Sequence, residues 1–134
     1  MTPKMYLRGA RTISRQLSEL DERIERLRAR VEAGRMSSIT GMPRGGDSDW
    51  TKTVDRLIEL ERYYNARERE LVARKMAIHA VIDQVDDARM RELLELRYID
   101  GLTWEAVAER MGYDVRWVYR LHGRALMRVA VPED

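Results

Sequence analysis

The sequence predicts an all-α protein, a long antiparallel helical hairpin of coiled-coil character followed by a small unit of three short helices. Three observations carry the prediction. Charged residues reach 36%, aromatics only 7%, and Phe is absent, whereas globular chains average roughly 25% charged residues; such a balance suits long solvated helices. Apolar residues recur in alternating steps of four and three through the first part of the chain, the spacing of a helical seam. The stretch from Asp49 to Val85 contains neither Gly nor Pro, so nothing in it interrupts a helix.

Composition also narrows the function. A chain of 134 residues buries one modest core and leaves no room for a multi-domain enzyme. With 25 Lys plus Arg against 23 Asp plus Glu the net charge is +2, so a binding signal has to be local. The absence of Cys removes disulfides and thiolate metal sites and agrees with a reducing compartment. No apolar run reaches the roughly 18 residues of a membrane span. Met1 to Ala10 carries Lys4 and Arg8 but no signal-peptide core. A cytoplasmic protein with no membrane contact is expected.

The first helix is expected from about Tyr6 to Ala33, with Ile13, Leu17, Leu20, Ile24, Leu27 and Val31 forming its seam. Its outer surface offers pairs such as Glu19 with Arg23 and Glu22 with Arg26. Gly34 reads as a stop, and Gly34 to Asp49, rich in Ser, Gly and Pro, reads as a loop. Asp49 reads as the N-cap of a second helix running to about Val85, on the order of 50 Å long. Trp50, Val54, Leu57, Tyr64, Leu71, Ile78, Ile82 and Val85 would form its seam, interrupted by Glu61, Glu68 and Lys75. With the first helix shorter by roughly two turns, the end of the second would overhang and pack on the C-terminal unit. Residues 1–85 are thus expected to serve oligomerisation or partner binding, and 86–134 to form the second domain.

Asp86 and Asp87 mark a new helix start, and Met90, Leu93, Leu94, Arg97 and Tyr98 keep helical spacing up to Asp100-Gly101. Thr103 caps a helix from Trp104 to Met111 with Glu105 in its first turn. Gly112 ends it, and Asp114 caps a last helix running towards Pro132. In these last two helices Ala108 allows close approach, Gly112 permits the turn, and Val118 locks one helix on the other. Val107, Met111, Tyr113 and Leu121 fill the neighbouring inward positions, which completes a helix-turn-helix pattern.

The run LLELRYIDGLTWEAVAERMGYDVRWVYRLHGRAL, from Leu93 to Leu126, resembles the last, minus-35-binding region of bacterial sigma factors. The wider plan resembles a family of phage-encoded sigma-like late-gene regulators of Gram-positive bacteria. The chain has no room for the separate domain with which sigma factors melt and bind the minus-ten element, so it looks like a borrowed DNA-binding module. Arg116, Arg120, Arg124 and Arg128 recur every four residues on the last helix, where Asp114 is the lone acid. Like charges at that spacing cost about 0.2–0.5 kcal/mol per pair unless an anion meets them. DNA phosphate is such an anion, and in this geometry the start of the helix faces base edges while later residues approach the backbone. The resemblance therefore implies Val115, Arg116, Tyr119 and Arg120 as base readers, with Arg97, Thr103 and Arg124 on phosphate. Arg can bond guanine bidentately, and Val can touch a thymine methyl. Trp117 is read as an aromatic packing on phosphate, contacting a base or anchoring a partner protein, or else as partly buried, and Trp104 as core.

Other chemistry finds no support. The GMPRGGD segment lacks the Lys-Ser or Lys-Thr of a phosphate loop, and Asp47 to Asp49 lacks the Gly and terminal Glu of a calcium loop. His79 and His122 are too few and too far apart for zinc. No nucleophile has an adjacent base, so neither metal, cofactor nor catalysis is expected. The expected function is sequence-specific duplex-DNA binding in transcription, with the long helices forming a dimer or contacting RNA polymerase. Two alternatives share these features: the small terminase subunit of a phage packaging machine, and a helical adaptor that grips polymerase or another regulator without specific DNA binding.

Overall fold

The computed structural model describes residues 1–39 and 47–133, with side chains described for 1–36 and 51–133. Helices and their connections account for all of it, with no strand among the described residues. The long helices are α1 (Pro3–Ile39) and α2 (Asp47–Asp83), each of 37 residues. Three short ones follow: α3 (Ala88–Leu94), α4 (Trp104–Met111) and α5 (Val115–Met127). Residues 40–46 of the expected loop, and with them most of the GMPRGGD segment, lie outside the described residues.

Helix α1 exceeds its expected span at both ends. The Thr2 hydroxyl accepts from the Met5 amide at 3.2 Å, and Pro3 occupies the first helical position, where its missing N–H costs nothing. At the other end Gly34 does not stop the helix. An interior glycine costs only about 1 kcal/mol, which the good helix formers Arg35 and Met36 beside it help to offset. The two long helices are therefore equal in length, and α1 reaches alongside the segment of α2 expected to overhang: Ile78 Cδ1 lies 3.4 Å from the Cβ position of Gly9. At the start of α2, Asp49 lies inside the helix rather than capping it.

Packing divides the chain into two compact units, residues 16–71 and residues 1–15 with 72–134. In the unit of residues 16–71, Leu20, Ile24, Leu27 and Leu71 are buried. Leu17, Val31, Val54, Leu57 and Tyr64 are half-buried. The helices run antiparallel there, since Arg28 Nε meets Glu61 Oε1 at 3.0 Å while Asp21, earlier in α1, faces Glu68, later in α2. Two of the charged positions that interrupt the α2 seam are thus engaged across the pair.

In the other unit Leu7, Ile82, Leu93, Leu94, Val107 and Val118 are at most marginally exposed and form the centre of the core. Asp87 caps α3, its Oδ1 accepting from the Arg89 and Met90 amides at 2.9 and 3.1 Å. The Met90 amide is the main reason its carboxyl lies below the usual range. Asp86 has a different task, pairing with Arg128 at 3.2 Å. After Leu94 the helix widens into a π-type turn, Glu95–Ile99, closed by the Asp100 amide donating to the Glu95 carbonyl at 2.9 Å. The last helix ends at Met127, short of Pro132, and Val129 beyond it is still buried.

Candidate nucleic-acid interface

The interface is built on the joint between α4 and α5. Thr103 Oγ1 accepts from the Ala106 amide at 3.2 Å and starts α4. Gly112 ends it at φ 73°, ψ 31°, a left-handed conformation that glycine adopts without a Cβ clash. The Ala108 carbonyl collects the turn, accepting from the Gly112 and Tyr113 amides. Asp114 then starts α5, its Oδ1 accepting from the Arg116 amide at 2.8 Å. Val107, Ala108, Val118 and Leu121 are buried as the spacing required. Met111 and Tyr113 are half-buried rather than fully inward.

One side of α5 is committed to the core through Val118, Leu121 and Ala125. The opposite side presents Arg116, Tyr119, Arg120, Gly123, Arg124 and Met127 to solvent. Three of the proposed base readers, Arg116, Tyr119 and Arg120, therefore share one exposed face, with Val115 half-buried at its start. Arg124 is exposed on the same face and lies 5.9 Å from the centroid of the Trp117 ring. Trp117 in turn meets Tyr113 edge-on at 6.4 Å. Arg128 departs from the stripe, being paired with Asp86.

Arg97 and Thr103 lie beside the other flank. The Arg97 guanidinium sits 4.4 Å over the Trp104 ring and donates through Nη1 to the Leu102 carbonyl at 2.9 Å. Trp104, half-buried rather than core, meets Tyr119 edge-on at 5.6 Å and His122 at 4.4 Å. The Thr103 hydroxyl accepts as a cap, which leaves its own proton for an acceptor outside.

Sequence reading missed the role of His122. Its Nε2 lies 2.6 Å from the Tyr98 hydroxyl, and the two rings stack at 5.8 Å. Burial first, then the charges of Lys4 and Arg97, push the imidazole down to about 4. The ring is accordingly neutral at physiological pH, and burial raises Tyr98, keeping its hydroxyl protonated. With the ring proton on Nδ1, Tyr98 donates to Nε2 and braces α5 against the π-type turn. No sequence signal marks the pair, because the partners are 24 positions apart.

Among the described residues no cluster of His, Asp and Glu could hold a metal ion, and no helix is long and apolar enough to cross a membrane. Residues 87–130 match the family described as sigma-70, region 4, a stretch slightly wider than Leu93 to Leu126. No curated protein and no solved structure matches the chain. The C-terminal third of this protein is a helix-turn-helix like sigma-70 region 4, a DNA-binding module of transcription regulation.

Proposed function

We propose that this protein is a sequence-specific, duplex-DNA-binding transcriptional regulator, phage or prophage encoded and cytoplasmic, that seats α5 in the major groove. The observation that carries the reading is the exposed face of Arg116, Arg120 and Arg124, none of them ion-paired among the described residues, on a helix fixed by the Asp114 cap. Val115, Arg116, Tyr119 and Arg120 read base edges. Arg124, Thr103 and Arg97 approach backbone phosphates, with Trp117 holding the Arg124 guanidinium in place. Residues 86–134 carry the major-groove contact, and the long helices of 1–85 pair with a second copy or meet RNA polymerase. Exposed Ile58, Leu60, Tyr63, Val72 and Met76 on α2 support that second role.

The test is selection of bound duplexes from a random pool at near-physiological salt, which holds down non-specific phosphate attraction. One enriched motif is the expected result, and a palindromic one supports a dimer. Recovery of no motif would overturn the reading in favour of a helical adaptor. Size measurement of the same preparation separates a dimeric regulator from a phage packaging subunit, which would form a ring.

A further inference from the structure

A cleft of about 360 Å³ opens between the first turns of α1 and the start of α4, lined by Lys4, Arg8, Arg11, Arg97, Trp104 and the Tyr98–Gly101 turn. Four cations share this space, and among the described residues none has a carboxylate within ion-pair distance. Two of the charges also meet groups that do not neutralise them. Arg97 is anchored by the Leu102 carbonyl and the Trp104 face. Arg11 Nη1 donates to the Asp100 carbonyl at 3.4 Å. Gly101, at φ +73°, leaves room for that guanidinium, since any side chain there would collide with it. Lys4 and Arg8 are exposed on the same side of α1. Lys4 stands in the first turn, where the helix dipole is positive and no acidic residue offsets it. A cleft so arranged is electrostatically unfavourable until an anion enters.

We infer that this cleft is a second DNA-backbone contact, in which Lys4, Arg8, Arg11 and Arg97 hold phosphodiester groups of the duplex whose major groove receives α5. The inference rests on the reading of α5 proposed above. Position selects DNA over an acidic protein as the partner. From the Tyr119 ring on the recognition face to the Arg97 guanidinium there are two contacts, of 5.6 Å to Trp104 and 4.4 Å beyond it. The major groove is about 12 Å wide, so the Arg97 guanidinium, two ring contacts from a side chain seated in it, is within reach of the flanking backbone, and Lys4, Arg8 and Arg11 line the same cleft as Arg97. Two guanidiniums fixed in advance lose little freedom on meeting phosphate.

The experiment compares the wild-type chain, a Lys4→Gln/Arg8→Gln variant and an Arg116→Ala variant, each binding the selected duplex across a series of salt concentrations. The double variant should melt like wild type, keep the same preferred sequence, and lose about two from the slope of log affinity against log salt. Arg8→Gln alone should lose about one. Arg116→Ala should instead relax sequence preference. An unchanged slope in the double variant, in a preparation where Arg116→Ala still relaxes preference, overturns the cleft and leaves the α5 reading standing. Wild-type binding without sequence preference, together with a slope that still falls in the double variant, sinks the α5 reading and the groove placement with it, and keeps the cleft as a contact to backbone phosphate. Failure of the wild type to bind any duplex overturns both and points to an acidic protein partner.

Discussion

Gly123 stands in the middle of α5, where glycine costs about 1 kcal/mol relative to alanine, and nothing lies within 4 Å of the point where its Cβ would be. Packing inside the chain therefore does not require it. It shares the exposed face with Arg116 and Arg120, and on the proposed reading the absence of a side chain there lets a groove wall come close. Gly123→Ala should accordingly raise stability by about 0.5–1 kcal/mol while weakening duplex binding severalfold; a gain in both would show that nothing approaches this face closely. His122 sets a pH dependence of definite sign. Its folded value, about 4, lies below the unfolded 6.5, so the unfolded chain takes up the proton first. The stability it contributes is complete above 6.5 and is lost as pH falls through 6.5 towards 4. Because the ring is only partly buried, a loss on the order of 1 kcal/mol by pH 5 is expected. The melting temperature of the wild type should fall more between pH 7 and 5 than that of His122→Gln, which keeps a polar partner for Tyr98 without titrating there. Parallel curves would contradict this role.

The elements differ in how far the sequence discloses them. The caps Asp87, Thr103 and Asp114, and the turn at Gly112, follow from chemistry within three or four residues, and each is found where that chemistry places it. The ends of α1 are less legible. Thr2 and Pro3 form an ordinary start signal masked by a chain whose apolar seam begins later, and Gly34 is carried through by neighbours that favour helix. The π-type turn has no local signal at all. Leu93, Leu94, Leu96 and Tyr98 are all buried, although in a regular α-helix they would spread over more than half its circumference; the demand comes from the surrounding core. The hairpin carries one visible fault, the Asp21–Glu68 carboxyl pair. Sharing a hydrogen bond with Asp21, and then partial burial, raises the Glu68 carboxyl above its ordinary range. A raised acid contributes most stability below its unfolded value and loses it as pH rises through the folded one. Glu68→Gln should therefore stabilise the hairpin at pH 7 by about 0.2–1 kcal/mol and have little effect near pH 4. Thermal melts at the two pH values check it, and equal shifts at both would rule out the carboxyl pair as the cause.

At the scale of the whole molecule, the exposed arginine face of α5 was legible because its parts fall within one short stretch, whereas the cationic cleft was not. Arg11 and Asp100, which meet there, are 89 positions apart, and no pattern along the chain joins them. The same long-range packing places Leu7 in one compact unit with α3, α4 and α5, while Leu27 belongs to the other. A boundary drawn at residue 85 would put both leucines in a single domain with equal influence on the DNA-binding module. Both are buried, Leu7 wholly and Leu27 to within 4%, so replacing either by alanine should cost about 2–5 kcal/mol locally. Their consequences should differ. Leu7→Ala should speed amide hydrogen exchange in α5, at Val118 to Ala125, and weaken duplex binding, because it opens the unit to which those amides belong. Leu27→Ala should speed exchange in residues 16–36 and 51–71 while leaving α5 protection and the preferred sequence intact. Equal loss of α5 protection in the two variants would mean that the long helices open as one body with the module. Faster exchange confined to each variant's own unit would mean that the first fifteen residues are as much a part of the DNA-binding module as the helix-turn-helix itself.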